Sequence, residues 1–345
     1  MVVVKHYLKW PAALLLAVFV LILGGCQRTP QEQVIGFDGL TMGTSFSLRW
    51  VDTRPERVDE LRPQVTALLA EINQQMSTYI EDSELSRFNQ APAGTRMEVS
   101  PALAEVVGKA LQISELSGGA FDVTVGPLVN LWGFGPDGRI MEAPAAEKVA
   151  DLLERTGYRK LSLEGNWLAK QGDQYVDLSA IAKGYGVDRL AALLEQAGIG
   201  NYLVEIGGEL RASGRKPNGD EWRIAIESPV AGERDVERVI SVSDLGIATS
   251  GDYRNYFEEN GQRFSHTIDP RTGYPIRHKL ASVTVLRDSC MEADALATTL
   301  TVLGEQAGYA FAVEQGIAAF FIIKQGDGFV EKTTPAFENY LQEVN

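Results

Sequence analysis

Residues 202–213 read YLVEIGGELRAS. Two strand signals, Tyr202–Ile206 and Glu209–Ser213, are split by Gly207-Gly208, a break that marks a bulge or a close backbone approach. Outward from this pair, strands dominate the C-terminal half. Further strands are predicted at Trp222–Glu227, Val236–Val242, 246–249, 264–268 and 282–286, with Asn218-Gly219 and Asn260-Gly261 as hairpin turns. Helices are expected around Ala293 and Gln306, and a last strand pair at 318–323 and 328–332. Toward the N-terminus, 37–51 alternates like a strand around Thr41-Met42-Gly43-Thr44. Leu61, Val65, Leu68, Leu69 and Ile72 give 55–77 one apolar helical face, and Pro63 is a candidate for that helix's true beginning. Ser100-Pro101 is an N-cap with Pro at the first helical position, opening a helix that Gly118-Gly119 ends. An ordered loop (120–138), a surface helix (144–155), a hairpin (161–178) and a helix (180–196) follow. Hairpins with interspersed helices indicate an α+β fold: mixed or largely antiparallel sheets with packed helices, one domain with two subdomains.

The first residues are a leader. Lys5, His6 and Lys9 precede an apolar run, and Leu23-Gly24-Gly25-Cys26 resembles a bacterial lipobox whose cysteine carries lipid. The expected division is a lipoprotein signal peptide (1–25), a tether (26–36) and one folded domain (37–345). With Cys26 assigned to lipid, Cys290 is left alone, so no disulfide framework is expected. Its apolar surroundings mark Cys290 as a buried small side chain. The formal charge is −14, and more negative still once Lys5 and Lys9 leave with the signal. That surface argues against nucleic acid or anionic lipid as the main partner. A polyanionic ligand needs local help from a cation or a lysine. No GxGxxG, GxxxxGK[ST], HExxH or GxSxG occurs, so the dinucleotide-binding, P-loop, zincin and α/β-hydrolase readings have no support.

Three stretches carry chemistry. In Cys290 to Gly304 (CMEADALATTLTVLG), Asp294 and Thr298 share a helix face, four residues apart. Two oxygen donors on an apolar helix suit a hard cation such as Mg²⁺. The alternative is a capping Asp294 and a Thr298 hydroxyl bonded back to its own helix. In Asp177 to Asp188 (DLSAIAKGYGVD) a strand runs into a helix whose N-terminus attracts anions. Lys183 opposes the helix dipole there and would supply charge for a phosphate. In Phe264 to Pro270 (FSHTIDP), His266 alternates on a strand and is a candidate general acid or base. Tyr79, Phe121, Trp132 and Phe134 could stack on a planar ring or belong to the core.

Taken with Thr41 to Thr44, Ser77-Thr78-Tyr79, Gly119 to Leu128, Leu131 to Gly135, Glu205 to Glu209 and Ala248 to Tyr253, these stretches resemble the ApbE family of FAD:protein FMN transferases, in order along the mature chain. The resemblance implies an Mg²⁺-dependent enzyme that cleaves FAD, attaches FMN by a phosphoester to a Thr or Ser hydroxyl of an acceptor protein, and releases AMP. It implies acceptors among subunits of membrane redox complexes, such as sodium-pumping NADH:quinone oxidoreductase and Rnf, and a lipid-anchored protein on the periplasmic side of the inner membrane. By motif, Met42, Tyr79, Ala120, Phe121, Asp122, Asp177, Lys183 and Ile268 are implied FAD contacts, and the Ala180 carbonyl, Asp294 and Thr298 the metal ligands. Ser179 stands where the family more often has glycine. His266 is the first choice for the base, with Asp177 and Asp269 as rivals. A periplasmic FAD pyrophosphatase and a non-enzymatic FAD-binding lipoprotein are the competing functions.

Overall fold

The computed structural model describes residues 31–135, 142–229, 236–251, 256–259, 262–326 and 328–341. The leader with Cys26, the Asn260-Gly261 turn, Asp252-Tyr253 and residues 136–138 of the predicted loop lie outside the described residues. Among those described, no helix is long and apolar enough to cross a membrane.

An eight-stranded sheet organises the chain, and its strands lie side by side in the order in which they occur in the sequence. They are β1 (Gln33–Thr41), β2 (Thr44–Asp52), β3 (Tyr202–Ile206), β4 (Glu209–Ser213), β5 (Leu245–Gly251), β6 (Leu280–Arg287), β7 (Ala318–Gln325) and β8 (Gly328–Thr333). Every neighbouring pair is antiparallel. The helices and small sheets are insertions between these strands. Four helices are long: α1 (Arg57–Met76), α2 (Pro101–Leu116), α3 (Ala182–Gln196) and α4 (Cys290–Glu314). The first three, with a three-stranded sheet (Arg96–Glu98, Leu161–Glu164, Trp167–Lys170), fill the insertion between β2 and β3. α4 joins β6 to β7.

Strand alternation explains why β7 opens with an unbroken apolar run, Ala318 to Ile323. Along β7, Ala319 and Phe321 enter the core that α2 and α4 share, while Ala318, Phe320 and Ile322 enter the core on the other side. Both faces are covered, so no polar alternation survives.

The β1–β2 hairpin closes through Met42-Gly43, with φ of 48° and 72°. Both central residues are left-handed, as a two-residue turn of this twist requires. Ser100 caps α2 by accepting from the Leu103 N–H (3.2 Å). The two helices expected around Ala293 and Gln306 are the two arms of α4, interrupted at Gly304 (φ 78°). His278 Nε2 lies 2.6 Å from the Thr301 carbonyl next to that break.

Several local expectations are corrected. α1 runs straight through Pro63 from Arg57. The loop after Gly119 contains a helix, Gly126–Leu131. In 161–178 only the first turn is a hairpin; after Lys170 the chain instead meets the Asn89 amide, which donates to the Val176 carbonyl (2.8 Å) and accepts from its N–H (2.8 Å). Asn218-Gly219 is a turn, but it links strands of different sheets. The strand predicted at 264–268 ends at Ser265, whose hydroxyl accepts from the Thr267 N–H (3.1 Å) and turns the chain at His266.

Candidate active site

A cavity of about 420 Å³ opens where α3, α4, the short Gly126–Leu131 helix and the ends of β4 and β5 meet. The three chemical stretches converge on it. Tyr79, Ala120, Phe121, Asp122, Asp177, Ala180, Lys183, His266, Ile268, Asp294 and Thr298 all line its wall. Met42 is not among the lining residues. Its side chain packs on the two cores that flank α3, and a Cβ built on Gly186 would stand 3.2 Å from its methyl.

Local folding places the oxygens. Ser289 caps α4 by accepting from the Glu292 N–H (3.3 Å), so Asp294 is not the cap. Thr299 and Thr301 return hydrogen bonds to the carbonyls of Ala295 (2.8 Å) and Ala297 (2.9 Å). Thr298 makes no such bond among the described residues, and it lines the cavity. Asp294, only 5 % exposed, accepts from the Gly184 N–H (3.0 Å) at one oxygen. That N–H would continue α3 backward by bonding to Ala180, so the helix starts at Ala182 and the Ala180 carbonyl is left open toward the cavity. A carbonyl, a carboxylate oxygen and a hydroxyl thus share one wall. This donor set is the hard-oxygen kind that suits Mg²⁺, and the open carbonyl is the observation that favours a cation. Among the described residues no group of three or more His, Cys, Asp or Glu side chains could hold a metal, so such a site rests on these mixed ligands.

Glu209 was not singled out as a site residue. It begins β4 directly after Gly207-Gly208, is 4 % exposed, and meets Lys183 Nζ at 2.6 Å. Alternation along Glu209–Ser213 sets Glu209 on the face of Arg211 and Ser213, opposite Leu210 and Ala212, so no sequence pattern marks it as buried. Burial opposes the charge on Lys183, but Asp294 and Glu209 outweigh it and keep the ammonium protonated. Burial pushes the Glu209 carboxyl up to about 7; Lys183 opposes this and Asp294 adds to it. Asp294 is also raised by burial, against Lys183 and the Gly184 N–H. Two carboxylates and one ammonium leave a buried excess of negative charge, which a divalent cation would remove.

The rival bases are engaged. Asp177 Oδ1 accepts from the Ser179 N–H (2.8 Å) and hydroxyl (2.5 Å). Asp269 is held by the Arg271 guanidinium at 2.8 Å and 2.9 Å. Asp122 accepts from Thr124 and from the Tyr158 N–H, so it braces the loop that carries Phe121. His266 stands edge-on to Phe134, with ring centres 6.3 Å apart.

Residues 42–321 match the model of the ApbE family. The chain belongs to the ApbE family. It is 48 % identical over 326 residues to the FAD:protein FMN transferase of Vibrio cholerae, covering 94 % of this chain and 97 % of that one. To the FAD:protein FMN transferase of Escherichia coli K12 it is 40 % identical, over 92 % and 93 % of the two chains. The solved structure of the flavin transferase ApbE from Vibrio cholerae superposes with a TM-score of 0.84 at 46 % identity, covering 90 % of this chain and all of that one. The apo flavinyl transferase ApbE of Pseudomonas stutzeri also gives 0.84, at 44 % identity over 90 % and 97 %. The α+β fold with antiparallel sheets is thus that of the ApbE structures.

The raised Glu209 carboxyl gives this ApbE-family chain a testable pH response. A carboxyl raised on folding is stabilising while both states are protonated, below about 4.5, and that contribution is lost as pH rises toward about 7. Without divalent cation, Tm is expected to fall between pH 5 and 7.5, and to fall less in Glu209→Gln. Differential scanning calorimetry of both proteins checks this.

Proposed function

We propose that this chain is an Mg²⁺-dependent FAD:protein FMN transferase. The observation that carries the reading is the Ala180 carbonyl, left open by the Gly184–Asp294 bond, sharing a cavity wall with Asp294, Thr298 and Lys183. Ala180, Asp294 and Thr298 would hold Mg²⁺, which would supply Lewis-acid polarisation of the phosphoryl oxygens. Lys183 places a fixed positive charge against the pyrophosphate in a chain whose net charge is −14. Tyr79 and Phe134 offer aromatic faces to the ring systems, while Phe121 backs the wall from the core. His266 takes the proton from the acceptor hydroxyl as its oxygen attacks the FMN phosphorus. The new O–P bond forms as the pyrophosphate P–O bond breaks, and AMP leaves. His266, on the cavity wall with Ala180, Lys183, Asp294 and Thr298, is the base we assign.

The acceptors in this reading are Thr- or Ser-bearing subunits of membrane redox complexes of the sodium-pumping NADH:quinone oxidoreductase and Rnf types. Lipid on Cys26, with a tether over 26–36, would hold the 37–345 domain to the periplasmic face of the inner membrane. The test is incubation with FAD, Mg²⁺ and an acceptor domain bearing its target threonine. Mass spectrometry is expected to find FMN added to the acceptor with stoichiometric AMP. FMN and AMP forming at the same rate with or without acceptor would make the protein an FAD pyrophosphatase instead.

A further inference from the structure

Asp188 does not line the cavity, yet four contacts converge on its carboxylate. Oδ1 accepts from Arg211 Nη1 (2.8 Å) and the Cys290 N–H (3.0 Å). Oδ2 accepts from the Ser289 hydroxyl (2.8 Å) and the Met291 N–H (2.9 Å). Asp188 lies on α3, one turn and a half beyond Lys183; Ser289, Cys290 and Met291 open α4, one turn before Asp294. One carboxylate therefore satisfies the first two N–H groups of α4 and ties that start to α3.

The helix contact has no slack. A Cβ on Gly184 would stand 2.4 Å from the Cys290 carbonyl oxygen and 2.7 Å from the Met291 Cα. On the opposite side, a Cβ on Gly246 of β5 would stand 2.4 Å from the Cys290 nitrogen. The first turn of α4 is clamped between α3 and β5, and the Gly184–Asp294 bond is its next tie. Within that clamp, the four contacts on Asp188 leave α4 one rise and one rotation. Mg²⁺ accepts oxygens only near 2.0–2.1 Å, so a shift of a few tenths of an ångström between the helices is felt at the ion.

We infer that Asp188 is a positioning residue for the cation site: it sets α4 against α3 so that Asp294 and Thr298 face the Ala180 carbonyl. This rests on the cation reading of the proposed function. The test uses Mn²⁺ as probe, followed by electron paramagnetic resonance of the free ion. FAD affinity is measured separately in metal-free buffer by flavin fluorescence. Asp188→Asn keeps size and shape but turns one side of the carboxylate into a donor facing an N–H of α4. It is expected to weaken Mn²⁺ binding about 10-fold, the scale for groups that orient metal ligands. Metal-free FAD affinity should stay within about twofold, since the cavity wall is untouched. Ser289→Ala removes the hydroxyl contact to Asp188 together with the cap on the Glu292 N–H and should weaken Mn²⁺ by about threefold, a test that stands even if Asp188→Asn folds poorly. Asp294→Asn should abolish the site. If Asp294→Asn loses Mn²⁺ while Asp188→Asn and Ser289→Ala keep wild-type affinity, the inference is overturned and the cation site survives. If Asp294→Asn itself keeps wild-type Mn²⁺ affinity, the cation site falls and the inference falls with it. Equal weakening of Mn²⁺ and metal-free FAD by Asp188→Asn would mark a general distortion and also overturn it.

Discussion

Asp294→Ala is expected to lower FAD turnover by about 10³-fold while leaving the protein folded. Asp294 is the one carboxylate in the proposed donor set; the other two oxygens are neutral, and neutral oxygens alone hold Mg²⁺ poorly. Removal also frees the Gly184 N–H, which can then return to Ala180 and close the carbonyl that faces the cavity. Two of the three ligands are compromised by one substitution. Stability should hardly suffer. Asp294 is buried beside Glu209 and shares Lys183 with it, and its loss leaves a one-to-one pair of Lys183 and Glu209. The measurement is AMP release under saturating FAD and Mg²⁺, beside Tm of both proteins without metal. Turnover within tenfold of wild type would remove Asp294 from the chemistry. An FAD carrier without turnover, the third functional reading, predicts no AMP release from either protein.

Lys183→Met should produce the second large effect, on stability and activity together. It strands Glu209 and Asp294 without the ammonium between them. Breaking a buried pair by removing one partner costs about 3–5 kcal/mol, and the low end applies because 28 % of the Lys183 side chain remains exposed. That is a fall in Tm of about 5 °C for a chain of this size. Lys183→Met/Glu209→Gln should regain most of it, since the amide needs no cation, yet turnover should stay low because the pyrophosphate has lost its lysine. The single variant should suffer more at pH 8 than at pH 6, where a protonated Glu209 relieves the repulsion. Mg²⁺ should narrow the gap, because the folded variant has lost the competing ammonium and binds the cation more tightly than the wild type does. Thermal melts at the two pH values, with and without Mg²⁺, check the four stability statements, and AMP release checks the turnover. A single variant as stable as wild type would show that the pair is not a buried one.

Much of the fold was legible because strand periodicity is local. Tyr202–Ile206, Glu209–Ser213, Trp222–Glu227 and Val236–Val242 fall where alternation puts them. What could not be read was anything fixed by a side chain standing in for backbone. Asn89 replaces a strand partner for Val176, and the Ser265 hydroxyl ends a strand that apolar alternation would continue to Ile268. The same limit governs the site. The spacing of Asp294 and Thr298 placed them on one face, but a cap and a cation ligand look alike in sequence. Only the Ser289 cap and the Gly184 N–H, contributed from 110 residues away, separate the two. Glu209 was hidden for another reason: its partner Lys183 lies on α3, and no pattern in either stretch announces the pairing.

The sheet order described above has a consequence for how the molecule comes into being. β2 must pair with β3, yet about 150 residues are made between them, so a growing chain holds an open edge on β2 until Tyr202–Ile206 is available. Contacts of such span close slowly, and unpaired edges invite association in the meantime. The oxygens of the cavity wall are divided across that same span: Ala180 belongs to the long insertion, Asp294 and Thr298 to the helix between β6 and β7. They can meet only after β3 to β6 have docked. Cation capture would then be one of the last steps of maturation, and the ion would fasten the late C-terminal third onto the earlier half. Refolding followed by hydrogen exchange should therefore show α4 gaining protection last, and gaining it faster when Mg²⁺ is present.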